Sequence, residues 1–378
     1  MAWDICIHGD GITGNTLALL LAQQRLRVGL VGSAKSAAST DVRAYALNAA
    51  SRQTLQSLGA WPEAADNTSS NTQHTTPVTA VQRMQVWGDD GGQISFDARS
   101  LGQDALSWIV DVPVLEHTLH QAVAAQPLIE RTTSLGPAKL HVVCEGKASA
   151  LRTQLGVEFE AWPYPHHALA TRLHSEQGHG GVARQWFSGG DILALLPMDG
   201  AQGHMVGVVW STSPAQAAQF AAGEPQALAE HLSAMSHHTL GQLTPLAPAA
   251  VWPLQRAQAR QWTGRSALGT WVLAGDAAHT LHPLAGQGLN LGFADVARLA
   301  ALLKARDFWR PLDDARLLRR YERERKAATL ALVGGTDGLQ WLFSQHSSPW
   351  AQVRNWGLNQ VNQTLPLKQW LAKQAMNL

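Results

Sequence analysis

Apolar positions along the chain change period several times, and each change marks an element. Asp4-Ile-Cys-Ile-His8 is a short apolar run closed by glycine, Asn15-Thr-Leu-Ala-Leu-Leu-Leu-Ala22 is apolar over helical length, and Arg27-Val-Gly-Leu-Val31 is a second short run. Strand, helix and strand in that order open a parallel sheet. Gln82 to Phe96 then reads as a hairpin with its turn at Asp89 to Gly92. His167–His174, Val182–Phe187, Ile192–Met198 and Met205–Trp210 predict successive strands of a largely antiparallel sheet. Trp271 begins another apolar strand, followed by a Gly/Pro-rich turn and a helix starting near Gln287, and from Leu317 onward the period is helical. Asn67 to Thr76 is polar without apolar period and reads as a loop.

That order predicts an α/β chain. A dinucleotide-binding, Rossmann-like domain is expected from residues 1–77, 101–160 and 262–315, and a mostly antiparallel β-sheet substrate domain is inserted as 78–100 and 161–261. Helices over 316–378 pack back on the first domain. A chain of 378 residues, 45% hydrophobic, can bury cores for two domains. The formal net charge of +1, with no long run of one sign, argues against a nucleic-acid partner. Cys6 and Cys144 are the only cysteines, each in a predicted buried strand, which points to a reducing compartment without a disulfide framework. No secretory n-region precedes the first strand, and every apolar run falls short of the ~18 residues of a spanning helix, so a cytoplasmic location is expected. Most of the fifteen tryptophans belong in cores or interfaces.

Two segments carry candidate chemistry. Gly9-Asp-Gly-Ile-Thr-Gly14 is a GxGxxG between a predicted strand and an apolar helix. In that context Gly9 makes the tight turn, Gly11 admits a pyrophosphate, and Gly14 lets helix and strand pack closely. The second is Gly275-Asp-Ala-Ala-His-Thr-Leu-His-Pro-Leu-Ala-Gly-Gln-Gly-Leu-Asn290. Here a buried strand places Asp276, and Gly286 and Gly288 allow backbone to approach a bulky ligand at a helix N-terminus. On the residues alone, Asp276 accepts ligand hydroxyls or simply caps a strand-turn-helix corner. His279 and His282, three apart, invite a metal, but no third ligand of suitable type is near, and no metal is expected.

Together these segments resemble the flavoprotein aromatic hydroxylases, and within them the ubiquinone-biosynthesis hydroxylases. The resemblance extends through Asp41-Val-Arg-Ala-Tyr-Ala-Leu-Asn48, Leu106-Ser-Trp-Ile-Val-Asp111, Val142 to Arg152 and Leu193 to Met198. Near the end, Tyr321-Glu-Arg-Glu-Arg325, Thr336 to Phe343, Arg354 to Asn359 and Pro366 to Met376 match the C-terminal signature of the ubiquinone hydroxylases. The resemblance implies an FAD-dependent monooxygenase that hydroxylates a polyprenylated phenol through a flavin C4a-hydroperoxide. NAD(P)H or a protein donor would supply electrons. It also implies that Asp276 binds the ribityl or pyrophosphate part, that Pro283, Gly286, Gln287, Gly288, Leu289 and Asn290 run along the flavin ring, and that Arg43 lies beside it. His282 and Pro283 are the candidates for contact with flavin or substrate. Glu145-Gly146 stands where the family has Asp-Gly; with Lys147, Ser149 and Arg152 it faces a pyridine nucleotide or caps a helix.

Three departures fall on the adenosine side. Gly32 ends the second strand, where the fold places an acid for the ribose hydroxyls; Asp10 puts a negative charge in the pyrophosphate loop; and Val112-Pro113 replaces the family's Asn-Arg. They predict weakened FAD binding, relieved by Gly32→Glu. They also keep open a flavin-poor scaffold in a ubiquinone-synthesis assembly, beside a hydroxylase of a small soluble aromatic. Other ubiquinone-synthesis proteins are expected partners. A C-terminal helix with Leu367, Trp370, Leu371 and Leu378 on one side would pack on its own domain or touch the inner membrane peripherally.

Overall fold

The computed structural model describes residues 3–32, 41–63, 76–88, 91–134, 136–280 and 287–344, with the side chains of Gln287 and 332–344 excepted. The chain opens with β1 (Trp3–His8), α1 (Ile12–Ala22), β2 (Val28–Val31), β3 (Ala44–Leu47), α2 (Ala49–Ser57) and β4 (Val78–Val81). There follow β5 (Arg83–Trp87), β6 (Gln93–Asp97), β7 (Ser107–Asp111), α3 (Val112–Ala124), β8 (Ile129–Thr132), β9 (Ala138–Val143) and α4 (Ala150–Gln154). The middle holds β10 (Phe159–Ser175), β11 (Val182–Ser188), β12 (Asp191–Met198), β13 (Met205–Thr212), α5 (Pro214–Ala222) and α6 (Pro225–Met235). The last part holds β14 (Leu243–Pro245), β15 (Ala250–Ala259), β16 (Thr263–Ser266), β17 (Gly269–Leu273), β18 (His279–Thr280), α7 (Gln287–Lys304) and α8 (Ala315–Ser344).

Three sheets result. In the first, of order β16-β17-β9-β1-β2-β8, every pair is parallel except the β16–β17 hairpin. Its inner strands β1, β2 and β9 are buried, as central parallel strands must be, and Ile5, Ile7, Leu30, Leu140 and Val142 are fully buried. Helix α1 is apolar all round because it lies inside: Leu17, Ala18 and Leu21 are fully enclosed. The second sheet runs β18-β15-β10-β13-β12-β11-β5-β6, with β14 beside β10, and is antiparallel except where β11 meets β5. Trp87 and Trp186 stack across that parallel pair, centroids 4.9 Å apart. The third, β3-β7-β4, joins segments from both sides of the boundary expected at residue 78. Arg172 of β10 pairs with Asp111 at 2.7 Å and donates to the carbonyls of Asp41 and Val42, tying the second sheet to the third.

The predicted hairpin and the four middle strands are present, as are the helix from Gln287 and, over the described part of 316–378, the helix α8. Three details differ. β10 begins at Phe159, because it continues through Pro163 by way of a register shift against β15. α5 and α6 were not anticipated between the strands; both start with proline in the first turn, and α6 packs Leu228 and Leu232 on the second sheet's core. Cys144 lies one residue past β9, although it is buried. Most of the polar loop at 67–76 and all residues beyond 344 fall outside the described residues.

Candidate functional site

The two candidate segments meet on α1. Gly9 has φ of +109°, and a Cβ there would lie 2.5 Å from the Cys144 carbonyl oxygen; a Cβ on Gly14 would lie 1.8 Å from the Gly9 carbonyl oxygen. Both positions need glycine, for backbone conformation in the first case and for close packing in both. Gly11 differs, since no described residue lies within 4 Å of a Cβ built there. Gly11 is also the N-cap of α1 and provides no side-chain cap, so the first-turn N–H groups are left to a ligand or water.

On the other side, Gly275 takes φ of +63°, and a Cβ there would sit 3.0 Å from Thr13 of α1. Its turn, Gly275–Ala277, carries the chain from β17 of the parallel sheet to β18 at the edge of the antiparallel one. Asp276 therefore stands at the junction of the two sheets. Solvent reaches its side chain, yet the protein packed around it pushes its carboxyl above the usual range; His279, Lys147 and Arg43 oppose this, and Asp295 adds to it.

Beneath the turn lies a cluster that sequence reasoning missed. Asp295 of α7 is fully buried and accepts from His279 Nε2 at 2.6 Å, from Arg325 Nε at 2.6 Å and from the Gly275 amide at 3.0 Å. Burial alone would raise its carboxyl, but His279 and Arg325 reverse the sign and hold it below the usual range. His279 stacks on Trp262, centroids 4.9 Å apart, and Tyr321 donates to the Leu273 carbonyl. The available signal was an acid on the buried face of an otherwise apolar helix, Leu289-Asn-Leu-Gly-Phe-Ala-Asp295.

The other candidates divide. Arg43 precedes β3 and is held by the Asp41 carboxylate, which keeps its guanidinium protonated, and it contributes to the field at Asp276. Among the described residues nothing lies within 4 Å of a Cβ built on Gly288, while Leu289 packs on the core. The Asn290 side chain accepts from the Asn48 amide and the Ser51 hydroxyl and donates to the Ala46 carbonyl, joining α7 to β3 and α2. His282, Pro283 and Gly286 lie outside the described residues, and Gln287 is described by its backbone only. Glu145 accepts from Ser149 Oγ at 2.7 Å and the Leu151 amide at 2.9 Å, which makes it a cap of α4. Arg152 is buried, donates to the carbonyls of Ala277 and Lys147, and lies over the Phe159 ring, so it braces the Asp276 turn from below.

Two expectations on the adenosine side are corrected. The Asp10 carboxylate lies against Gly32 and Arg131, whose Nη2 is 2.9 Å from it. A Cβ on Gly32 would fall 2.3 Å from an Asp10 carboxylate oxygen, so Gly32→Glu cannot restore a side chain there without displacing Asp10. Val112-Pro113 forms the first turn of α3, with Val112 in the core. Among the described residues, the one group of metal-ligand type is Cys6, His8 and His141, all buried in β1 and β9. The two imidazoles share a hydrogen bond at 3.0 Å, while burial holds His8 at about 4 and pushes the Cys6 thiol up to about 11, so the group packs as neutral side chains.

Comparison with known proteins places this geometry. The FAD binding domain family matches residues 116–336. The chain is 30% identical to the 3-demethoxyubiquinol 3-hydroxylase of Escherichia coli (strain K12), covering 99% of this chain and 98% of that one. It is 27% identical to the mitochondrial ubiquinone biosynthesis monooxygenase COQ6 of Homo sapiens, over 97% and 91% of the two chains. Its fold is that of p-nitrophenol 4-monooxygenase PnpA from Pseudomonas putida DLL-E4, with TM-score 0.75, 16% identity and coverage of 100% and 98%. It is also that of pqsL, a probable FAD-dependent monooxygenase from Pseudomonas aeruginosa, with TM-score 0.73, 20% identity and coverage of 95% and 100%.

Proposed function

The chain belongs to the FAD-dependent hydroxylases of ubiquinone biosynthesis, and from that membership we propose that it hydroxylates the aromatic ring of a polyprenylated phenol. The observation that carries the reading is the meeting of the open Gly11 N-terminus and the Gly275–Asp276 turn on α1. The residues fit FAD: backbone is bare where a pyrophosphate must approach, and a carboxylate stands at the sheet junction where ribityl hydroxyls would end. Bound and reduced, FAD supplies the activation of dioxygen.

The protein's own part is to hold, orient and shield. The first-turn N–H groups of α1 take the pyrophosphate, with Gly9 and Gly14 keeping the loop tight. Asp276 accepts ribityl hydroxyls, and Asp295 keeps the turn in place by holding the Gly275 amide. Gly288, together with residues 283–290 and Arg43, would hold the ring, and His282 would contact flavin or substrate. The antiparallel sheet, as the substrate domain, walls the pocket.

Electrons come from NAD(P)H or a protein donor; the capping role of Glu145 and the bracing role of Arg152 favour neither source. Among the described residues no helix is long and apolar enough to cross a membrane. We place the protein in the cytoplasm, peripheral to the membrane that holds its substrate and in reach of other ubiquinone-synthesis proteins. Residues 365–378 are a candidate contact, which liposome flotation with and without them would test. The hydroxylase names of the relatives favour this reading over the scaffold alternative. The deciding assay gives purified protein NADH or NADPH with either a polyprenylated phenol or its tail-free analogue. Hydroxylated product with uptake of oxygen is expected for the polyprenylated compound. Turnover of the tail-free analogue alone would reassign the protein to small soluble aromatics.

A further inference from the structure

Gly32 directly follows β2, where a dinucleotide fold places an acid to accept the adenosine ribose hydroxyls. Its backbone is outside the left-handed region, so no conformational reason requires glycine. What requires it is Asp10. The carboxylate of Asp10 occupies the volume a side chain at 32 would take, with Oδ2 at 2.3 Å and Cγ at 2.6 Å from the position of a Cβ. The placement is held from two directions. Arg131 of β8, next to β2, binds the carboxylate at 2.9 Å, while the Asp10 carbonyl accepts from the Asn15 side chain and lies 3.3 Å from His120 Nε2. The loop is thus fixed at residue 10 with its side chain laid over the end of β2.

We propose that Asp10 supplies the carboxylate that receives the adenosine ribose of FAD, and that Gly32 is glycine to leave it room. The acid has moved from the strand to the loop, and Arg131 positions it. This rests on the FAD reading above. A carboxylate remains at the end of β2, so the apparent loss at Gly32 is a relocation, and FAD binding is not weakened by it.

The test titrates flavin-free apoprotein with FAD and, separately, with FMN, which has no adenosine, following flavin fluorescence. Asp10→Ala and Asp10→Asn should each lower FAD affinity by about ten- to a hundred-fold and leave FMN affinity unchanged. Gly32→Glu alone should also weaken FAD, because two carboxylates then compete for one space. Combining Asp10→Ala with Gly32→Glu should recover most of the loss by returning the acid to the strand. Circular dichroism melts confirm that each variant is folded, with the isosteric Asp10→Asn standing in if the alanine variant is not. Three results overturn the proposal alone: unchanged FAD affinity in both Asp10 variants, equal loss of FAD and FMN, or a double variant no better than Gly32→Glu. A wild-type chain that binds neither flavin overturns the FAD reading and the proposal with it.

Discussion

The glycine loop at Gly9–Gly14 and the turn at Gly275–Ala277 both border the place proposed for the cofactor, and they are held there by opposite means. The loop is shaped by what is missing: two of its glycines pack against carbonyl groups, the third meets no described residue at its Cβ position, and its one charged side chain lies against Arg131. The turn rests on a fully buried carboxylate with an imidazole, a guanidinium and an amide around it. Backbone shape can tolerate a relocated acid at its exposed margin, whereas a buried charge cluster leaves no partner replaceable alone.

The comparison breaks most severely at Asp295. Asp295→Ala leaves His279 and Arg325 without their buried partner and should cost about 3–5 kcal/mol of stability, measured by urea unfolding. A loss no larger than that of a surface substitution would remove the buried cluster from the account. Acid sharpens the contrast at the loop end, because His8 directly precedes Gly9. Its pKa falls from the ordinary 6.5 to about 4 on burial, and His141 shifts the same way. Between those values the unfolded chain binds more protons than the folded one. Stability from His8 is complete above pH 6.5 and is lost, up to about 3 kcal/mol, as pH falls toward 4. Unfolding midpoints measured across that window should move down with pH, and His8→Phe should flatten the slope.

Much of this contrast was readable in the chain. Strand-GxGxxG-helix at Gly9–Gly14 and strand-Asp-turn at Asp276 are local patterns, and local patterns survive folding because propensity and packing agree there. The alternating strands of the antiparallel sheet were legible for the same reason. Asp295 with Arg325, Asp10 over Gly32, and Arg152 under Ala277 were not, since each depends on partners that only tertiary folding brings together. Glu145 was ambiguous for a different reason: a carboxylate before a short helix has one sequence appearance whether it caps that helix or meets a nucleotide.

Two smaller effects probe the backbone-held end. Gly14→Ala forces a methyl into the Gly9 carbonyl and should destabilise by about 1–3 kcal/mol while weakening FAD retention. Gly11→Ala, with no described residue within 4 Å of its Cβ, should keep the fold and lose flavin only. If both variants behave alike in melting and in flavin content, the distinction between packing and ligand-facing glycines fails. Least in size is Glu145→Gln. Loss of the carboxylate cap of α4 should cost about 1 kcal/mol without changing KM for NADH or NADPH, and a raised KM would return Glu145 to the nucleotide.

The central claim, that FAD lies between the α1 N-terminus and the Asp276 turn, is tested most directly by titrating apoprotein of the wild type and of Asp276→Ala with FAD. Wild type should saturate at one FAD per chain, and the variant, still folded by circular dichroism, should release most of its flavin. Full retention of FAD by Asp276→Ala with unchanged affinity would contradict the placement.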